Sequence, residues 1–306
     1  MKNRASLLTE QRLDASRGLD AMSTEQVLAI MNEQDAVAVA AVAAERAAVT
    51  RAVDLVADAL RAGGRLFDVG AGTSGGLAVL DAAEVPVTYG TDPDRVQAIF
   101  AGGLDMQGQF ADVSAEDSFE AGEKVIDERS AGPNDVVMGI AAGGTTPFVH
   151  GALRAGKRRG AATVFLCCVQ RFPGEPQADV VIRPLTGPEV VTGSTRLKAG
   201  TATKLVLNAI TTTVMVRLGK VYDNLLVDGQ VSGCSKTWDR GVRMVIAVTG
   251  AEYDQAETQL RRADGRVKHA VLMQLRGVDA AEADHLLAQR GGNLRACISE
   301  AEIVRR

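Results

Sequence analysis

Two short segments carry residue types suited to holding an anion. One is Val69-Gly70-Ala71-Gly72-Thr73-Ser74-Gly75, and the other is Gly143-Gly144-Thr145-Thr146 ahead of Pro147. A glycine loop leading from a strand into a helix presents backbone N–H groups at the positive end of the helix dipole, where phosphate binds readily. The first loop has the G-x-G-x-x-G spacing of a dinucleotide cradle, with Asp92 and Asp94 about 20 residues on as candidate ribose acids. Its two hydroxyls, and the same device repeated in the second loop, favour one compact phosphate over a dinucleotide. A third segment, Glu189 to Gly200, contains Glu189, Ser194, Thr195, Arg196 and Lys198. Ser194 is placed to cap a helix, and cations in its first turn oppose the macrodipole unless an anion or a carboxylate balances them. Two carboxylates stand out, Glu84 just past the first expected helix and Glu116 in a polar stretch, though by residue type each also fits a solvated or capping acid, and Glu116 fits a helix start.

These residues need a scaffold. Residues 1–23 are polar and turn-like, and Ser23 or Thr24 is expected to cap an Ala-rich helix running to Ala62, where Gly63-Gly64 ends it. Short apolar runs at 65–69, 135–139 and 162–168 read as buried strands. The first is followed by a helix at 75–81, the second by a helix to about residue 159, and a long helix is expected from Ser194 to Leu218. Strands alternating with helices predict an α/β fold, a parallel sheet flanked by helices. Beyond Trp238 a weak repeat at an offset of 27 residues pairs Gly250 with Gly277, Leu260 with Leu287 and Gly265 with Gly292, which implies two helix–turn–helix copies. Two domains are expected, 1–240 with the loops and 241–306 as a small all-α module that looks ubiquitin-associated in type and serves packing or dimer support.

Composition narrows the ligand. With 34 basic and 38 acidic residues and a net charge of -4, there is no basic face for nucleic acid and no polybasic segment for a membrane surface. No apolar run is read as reaching the roughly 18 residues of a membrane span, and the polar start lacks a signal peptide's apolar region, so a cytoplasmic protein is expected. The four cysteines suggest no disulfide framework, and His150, His269 and His285 have no ligand spacing, so neither metal nor cofactor is expected.

In these segments the chain resembles the N-acetylmuramic acid 6-phosphate etherases, a family built on the sugar isomerase (SIS) fold. The likeness runs in order along nearly the whole chain: TEQR at 9–12, VGAGTSG at 69–75, AGG at 101–103, AED at 115–117, GIAA at 139–142, TGSTRLKAGTA at 192–202 and RLGKVY at 217–222. It implies a flavodoxin-like three-layer sandwich and a homodimer. It also implies a lyase that releases D-lactate from a phosphorylated amino sugar of the cell wall, with Glu84 as acid and Glu116 as base. The phosphate would sit on the Thr73-Ser74 and Thr145-Thr146 loops near Ser194 and Thr195. The SIS fold also serves regulators such as the glucokinase regulatory protein, and enzymes acting on related phosphosugars.

Departures are specific. Family members usually read GTSGRLG where this chain has Gly75-Gly76-Leu77-Ala78, and SGRTP where it has Gly143-Gly144-Thr145-Thr146-Pro147. Two loop arginines are thus absent, and each would give charge-assisted contacts that glycine and threonine cannot replace. Asp68 stands where an apolar or aromatic residue is usual.

Overall fold

The computed structural model describes residues 4–103, 112–229, 231 and 233–298. They group into two compact units, one drawn from Met1–Ala83 and Pro93–Thr211, the other from Glu84–Asp92 and Thr212–Arg306.

In the first unit, three 3-10 turns (Leu8–Glu10, Asp14–Ser16 and Leu19–Ala21) precede helix α1, Thr24–Ala44. Ser23 caps α1 through a capping box: its hydroxyl accepts the Gln26 N–H, and the Gln26 side chain accepts the Ser23 N–H at 2.8 Å. The expected continuous helix to Ala62 is broken at Glu45, and α2 runs Arg46–Arg61. At this break the Glu45 carboxylate accepts the backbone N–H of Arg183 at 3.0 Å. Helix α1 corrects a second expectation, since its 21 residues are long and apolar enough to cross a membrane by length and composition. Glu33 and Asp35 lie within it, and Ala38 is its buried residue.

The sheet follows. Strand β1 (Leu66–Gly70) leads into α3 (Gly72–Tyr89), then β2 (Val96–Phe100), a 3-10 turn (Val113–Asp117), α4 (Phe119–Glu128), β3 (Val136–Ile140), α5 (Pro147–Arg158), β4 (Ala162–Leu166), β5 (Val180–Ile182) and α6 (Lys198–Arg217). All pairings are parallel in the order β2-β1-β3-β4-β5. Parallel neighbours need crossovers, which α3, α4 and α5 provide. Every residue of β1 and β3 is buried, which is why both read as unbroken apolar runs and not as alternation. Phe67, Val137, Val149, Leu153 and Phe165 form part of one core cluster, and full burial of such a side chain stabilises by about 1.5–3 kcal/mol.

Asp68 is the exception within β1. It is 0% exposed, and neither carboxylate oxygen has a hydrogen-bond partner among the described residues. Burial, with Asp81 adding to it, raises its pKa well above the usual carboxylate range.

Two helices differ from expectation. Helix α3 covers Gly72–Tyr89 instead of 75–81, so Glu84 lies inside it and not beyond its end. Helix α6 starts at Lys198 and not at Ser194, because Ser194 spends its carbonyl on a turn to the Leu197 N–H. Arg196 therefore precedes the helix.

In the second unit, helices α7 (Ser235–Thr249), α8 (Tyr253–Arg262), α9 (Val267–Arg276), α10 (Ala280–Gln289) and α11 (Leu294–Cys297) pack around Val245, Leu260, Val271, Leu272 and Leu287. The repeated glycines have matching roles. Gly250 and Gly277 are left-handed C-caps at φ 69° and 67°, while Gly265 and Gly292 turn the chain at φ 74° and 76°. Lys268, only 4% exposed, is satisfied by Asp228 at 2.6 Å and the Gly292 carbonyl at 2.7 Å.

Candidate functional site

The loops after β1 and β3 emerge side by side. Gly70 is in register with Ile140 on one side and with Phe100 on the other, so Ala71 and Ala141 open adjacent loops where the strand order reverses. In an open doubly wound sheet this switch point, at the carboxyl ends of the strands, is where ligands bind.

Close approach explains the first loop. A Cβ on Gly75 would lie 2.6 Å from Phe100 Cδ2 and 2.8 Å from the Gly70 carbonyl oxygen, so α3 can start this close to β1 only without a side chain there. Gly72 adopts φ 50°. The loop exposes the first N–H groups of α3, with Ser74 buried and Thr73 half-buried beside them. In the second loop the Gly144 N–H bonds the Ala141 carbonyl at 2.8 Å. A Cβ on Gly144, which has φ 75°, would lie 2.7 Å from Phe172 Cε1. Burial lowers the pKa of His150 and keeps its ring neutral, so Nε2–H donates to the Gly144 carbonyl at 2.7 Å. Thr146 is the N-cap of α5 but makes no side-chain cap bond, and Pro147 occupies the first turn. The N–H groups at this helix start are left for an anion.

The third segment joins the first. A Cβ on Gly200 would lie 3.5 Å from Thr73 Cγ2 and 3.4 Å from the Thr195 carbonyl oxygen, which puts Thr73, Thr195 and the start of α6 together. Glu189, 0% exposed, accepts the N–H of Lys198 at 2.9 Å and of Ala199 at 3.0 Å. It therefore caps α6 and balances the lysine in its first turn. Burial raises the Glu189 pKa against the lowering effect of those two N–H bonds. The Lys198 ammonium, buried and so lowered in pKa, donates to Gln34 Oε1 at 2.6 Å.

Glu84 and Glu116, the carboxylates singled out in the sequence, are both exposed. Glu84 is exposed on α3. Glu116 is exposed in the 3-10 turn before α4. It does not start that helix, since Ser118 caps α4 by accepting the Ala121 N–H at 3.1 Å. Neither glutamate has a hydrogen bond or ion pair among the described residues.

A cavity of about 480 Å³ is lined by Phe119, His150, Arg154, Lys157 and Arg158, with none of the loop hydroxyls among its lining. Arg154 and Arg158 are already engaged with Glu123 at 2.6 and 2.5 Å. The cysteines offer no nucleophile in the core: burial pushes Cys167 up to about 11 and raises Cys168 further. Among the described residues no group of three or more His, Cys, Asp or Glu side chains is arranged to hold a metal ion.

The residue-type reading missed Thr9 and Glu10. A Cβ on Gly143 would lie 3.9 Å from the Thr9 hydroxyl, and one on Gly193 would lie 3.7 Å from the Glu10 carboxylate. The TEQR segment was the available signal, but its placement against loops more than a hundred residues away is a tertiary fact.

A five-stranded doubly wound parallel sheet with glycine loops at its switch point defines an open α/β domain with its ligand site at the carboxyl ends of the strands. Residues 48–157 match the model of the glucokinase regulatory protein N-terminal SIS domain. An N-acetylmuramic acid 6-phosphate etherase of Gloeothece citriformis is 46% identical over 301 residues, covering 98% of each chain. That of Nostoc punctiforme is 47% identical over 298 residues, covering 97% of this chain and 96% of its own. The chain belongs to the N-acetylmuramic acid 6-phosphate etherase family. A solved structure, the phosphoheptose isomerase of Neisseria gonorrhoeae, is 18% identical, covers 62% of this chain and 98% of its own, and has a TM-score of 0.44; the assignment rests on the sequence relatives.

Proposed function

We propose that this protein is a carbon–oxygen lyase that converts N-acetylmuramic acid 6-phosphate and water to N-acetylglucosamine 6-phosphate and D-lactate, in cytoplasmic recovery of peptidoglycan sugars. The observation that carries the reading is identity of 46% across nearly the full length of proteins bearing that name. The phosphate sits between the Gly72-Thr73-Ser74 loop and the Gly143–Thr146 loop, with Ser194 and Thr195 beside it. Glu189 and Lys198 support this site by fixing the start of α6.

In the open-chain sugar the C1 aldehyde acidifies the C2 proton. Glu116 takes that proton, the C3–O bond breaks, and Glu84 protonates the departing lactate oxygen, leaving a C2=C3 double bond conjugated with the aldehyde. Glu84 then deprotonates the water that adds at C3, and Glu116 returns a proton to C2. Each carboxyl group thus needs the opposite protonation state from the other at every step. Freedom of both carboxylates from structural bonds is consistent with such work. No metal or redox group enters this scheme.

A homodimer fits the same reading. Leu80 and Val87, 50% and 64% exposed, lie one turn either side of Glu84 on α3, and an apolar stripe of this kind suits a second copy of the chain. The helical module at 241–306 then serves packing or dimer support, and neither nucleic acid nor membrane is a partner.

A second reading is favoured by the match to a regulatory-protein SIS domain together with the absent loop arginines: a sugar-phosphate sensor, or a lyase or isomerase for a related phosphosugar. The deciding experiment follows lactate release from N-acetylmuramic acid 6-phosphate by wild type, Glu84→Gln and Glu116→Gln, with phosphosugar binding measured calorimetrically in each. Release lost in both variants while binding persists supports the etherase. Tight binding without release by wild type overturns it in favour of the second reading.

A further inference from the structure

The N-terminal arm is fastened across the loops that follow β3, β4 and β5. Leu7, 1% exposed, belongs to the core of the first unit. Gln170 grips the arm from both ends of its amide, accepting the Leu8 N–H at 3.2 Å and donating to the Ser6 carbonyl at 2.7 Å. So anchored, Glu10 reaches Gly193 and Thr9 reaches Gly143.

Thr9 is the unusual member. It is 0% exposed, and its hydroxyl has no hydrogen-bond partner among the described residues. Leaving a buried hydroxyl unpaired is unfavourable, and such a group in a folded protein calls for a partner. The space it borders is that of the missing side chain of Gly143: a Cβ there would meet the Thr9 hydroxyl at 3.9 Å and no other atom within 4 Å. That space adjoins the start of α5, whose N-cap Thr146 makes no side-chain cap bond. A donor without an acceptor, an open space and an uncapped helix start therefore converge on one loop.

We propose that Thr9 is a binding residue of the phosphosugar site, its hydroxyl donating to a phosphate oxygen that enters the space left by Gly143. The inference rests on the etherase reading for its substrate. The arm is then a wall of the site and supplies a hydroxyl that the β3 loop lacks at its own glycine. A serine at 143 places a hydroxyl in the same space, so the two positions are interchangeable as donors.

The test compares wild type, Thr9→Ser, Thr9→Val, Gly143→Ser and the double variant Thr9→Val/Gly143→Ser. Steady-state lactate release from N-acetylmuramic acid 6-phosphate is read beside calorimetric binding of N-acetylglucosamine 6-phosphate and of unphosphorylated N-acetylglucosamine. Thr9→Val is expected to raise KM about tenfold with kcat within about twofold, the scale of one hydrogen bond to a charged group. Thr9→Ser should stay near wild type, the double variant should regain most of the loss, and binding of the unphosphorylated sugar should not change. A folded Thr9→Val with unaltered KM and phosphosugar affinity, or a loss that Gly143→Ser does not recover, overturns the inference; Thr9→Ala replaces the valine variant should that fail to fold. Wild type that binds the phosphosugar without releasing lactate would sink the etherase reading alone, and the binding arm would still decide the role of Thr9.

Discussion

The buried carboxylate of Glu189 accepts two consecutive backbone N–H groups, those of Lys198 at 2.9 Å and Ala199 at 3.0 Å. It thereby does from nine residues upstream what an N-cap side chain does locally. Glu189→Ala leaves both donors without their partner, and at about 1–3 kcal/mol for each buried unsatisfied group the fold should lose about 2–6 kcal/mol. Glu189→Gln keeps an acceptor and should lose about 1 kcal/mol. Urea unfolding midpoints check both, and equal stability of the alanine variant and wild type would remove the cap from the account.

Gly75 should tolerate no side chain. A Cβ there meets the Gly70 carbonyl oxygen at 2.8 Å, and backbone cannot step aside as a flexible side chain can. Gly75→Ala is expected to cost about 1–3 kcal/mol through overpacking and to weaken phosphosugar binding by displacing the start of α3. Thermal melting and calorimetry read the two effects separately.

Asp68 makes stability depend on pH in an unusual direction. Its pKa is raised in the folded chain, so between the unfolded carboxylate value of about 3.9 and the folded value the native state holds a proton that the unfolded chain has released. Stability is therefore fully present below the unfolded value and declines as pH rises through that window. Asp68→Asn should flatten this slope, and Asp68→Val, which buries no polar group, should gain about 1–3 kcal/mol at neutral pH. Unfolding midpoints from pH 4 to 8 test this, and a wild-type midpoint that rises with pH while the asparagine variant is flat would refute it. Asp81, whose charge adds to the rise, must be intact in all variants.

Gly76 is different from Gly75. A Cβ at Gly76 meets nothing within 4 Å, so a long side chain fits in the first turns of α3. Gly76→Arg restores the cation that related loops usually carry. One charge-assisted contact of about 1.5 kcal/mol corresponds to roughly tenfold tighter phosphosugar binding. Unchanged affinity in a folded variant would mean that the phosphate does not approach this turn.

Much of the scaffold is legible along the chain because its cause is local. Strands β1, β3 and β4 are buried on both faces, which forces unbroken apolar runs, and a glycine must stand at 75 where the start of α3 crowds the end of β1. Strands β2 and β5 escape that reading: β2 is only partly buried, with the pattern Val96 and Ile99 in and its other residues half-exposed, and β5 is three residues long. The break at Glu45 and the late start of α6 were illegible for another reason. At each a carboxylate bonds backbone outside its own turn, Glu45 to Arg183 and Glu189 to Lys198 and Ala199, and helix propensity contains no trace of such a partner.

The order of residue types by itself determined the α/β class, the paired glycine–hydroxyl loops and, through ordered motifs, the family. Those features follow from local rules of burial period, turn chemistry and dipole. Only the tertiary structure decided that the loops after β1 and β3 emerge together at the reversal of strand order, that the Glu189 carboxylate caps the start of α6, and that Thr9 lies buried and unpaired beside Gly143. Such facts arise when the chain folds back on itself, since whether a polar atom finds a partner is settled by neighbours in space and not by neighbours in sequence.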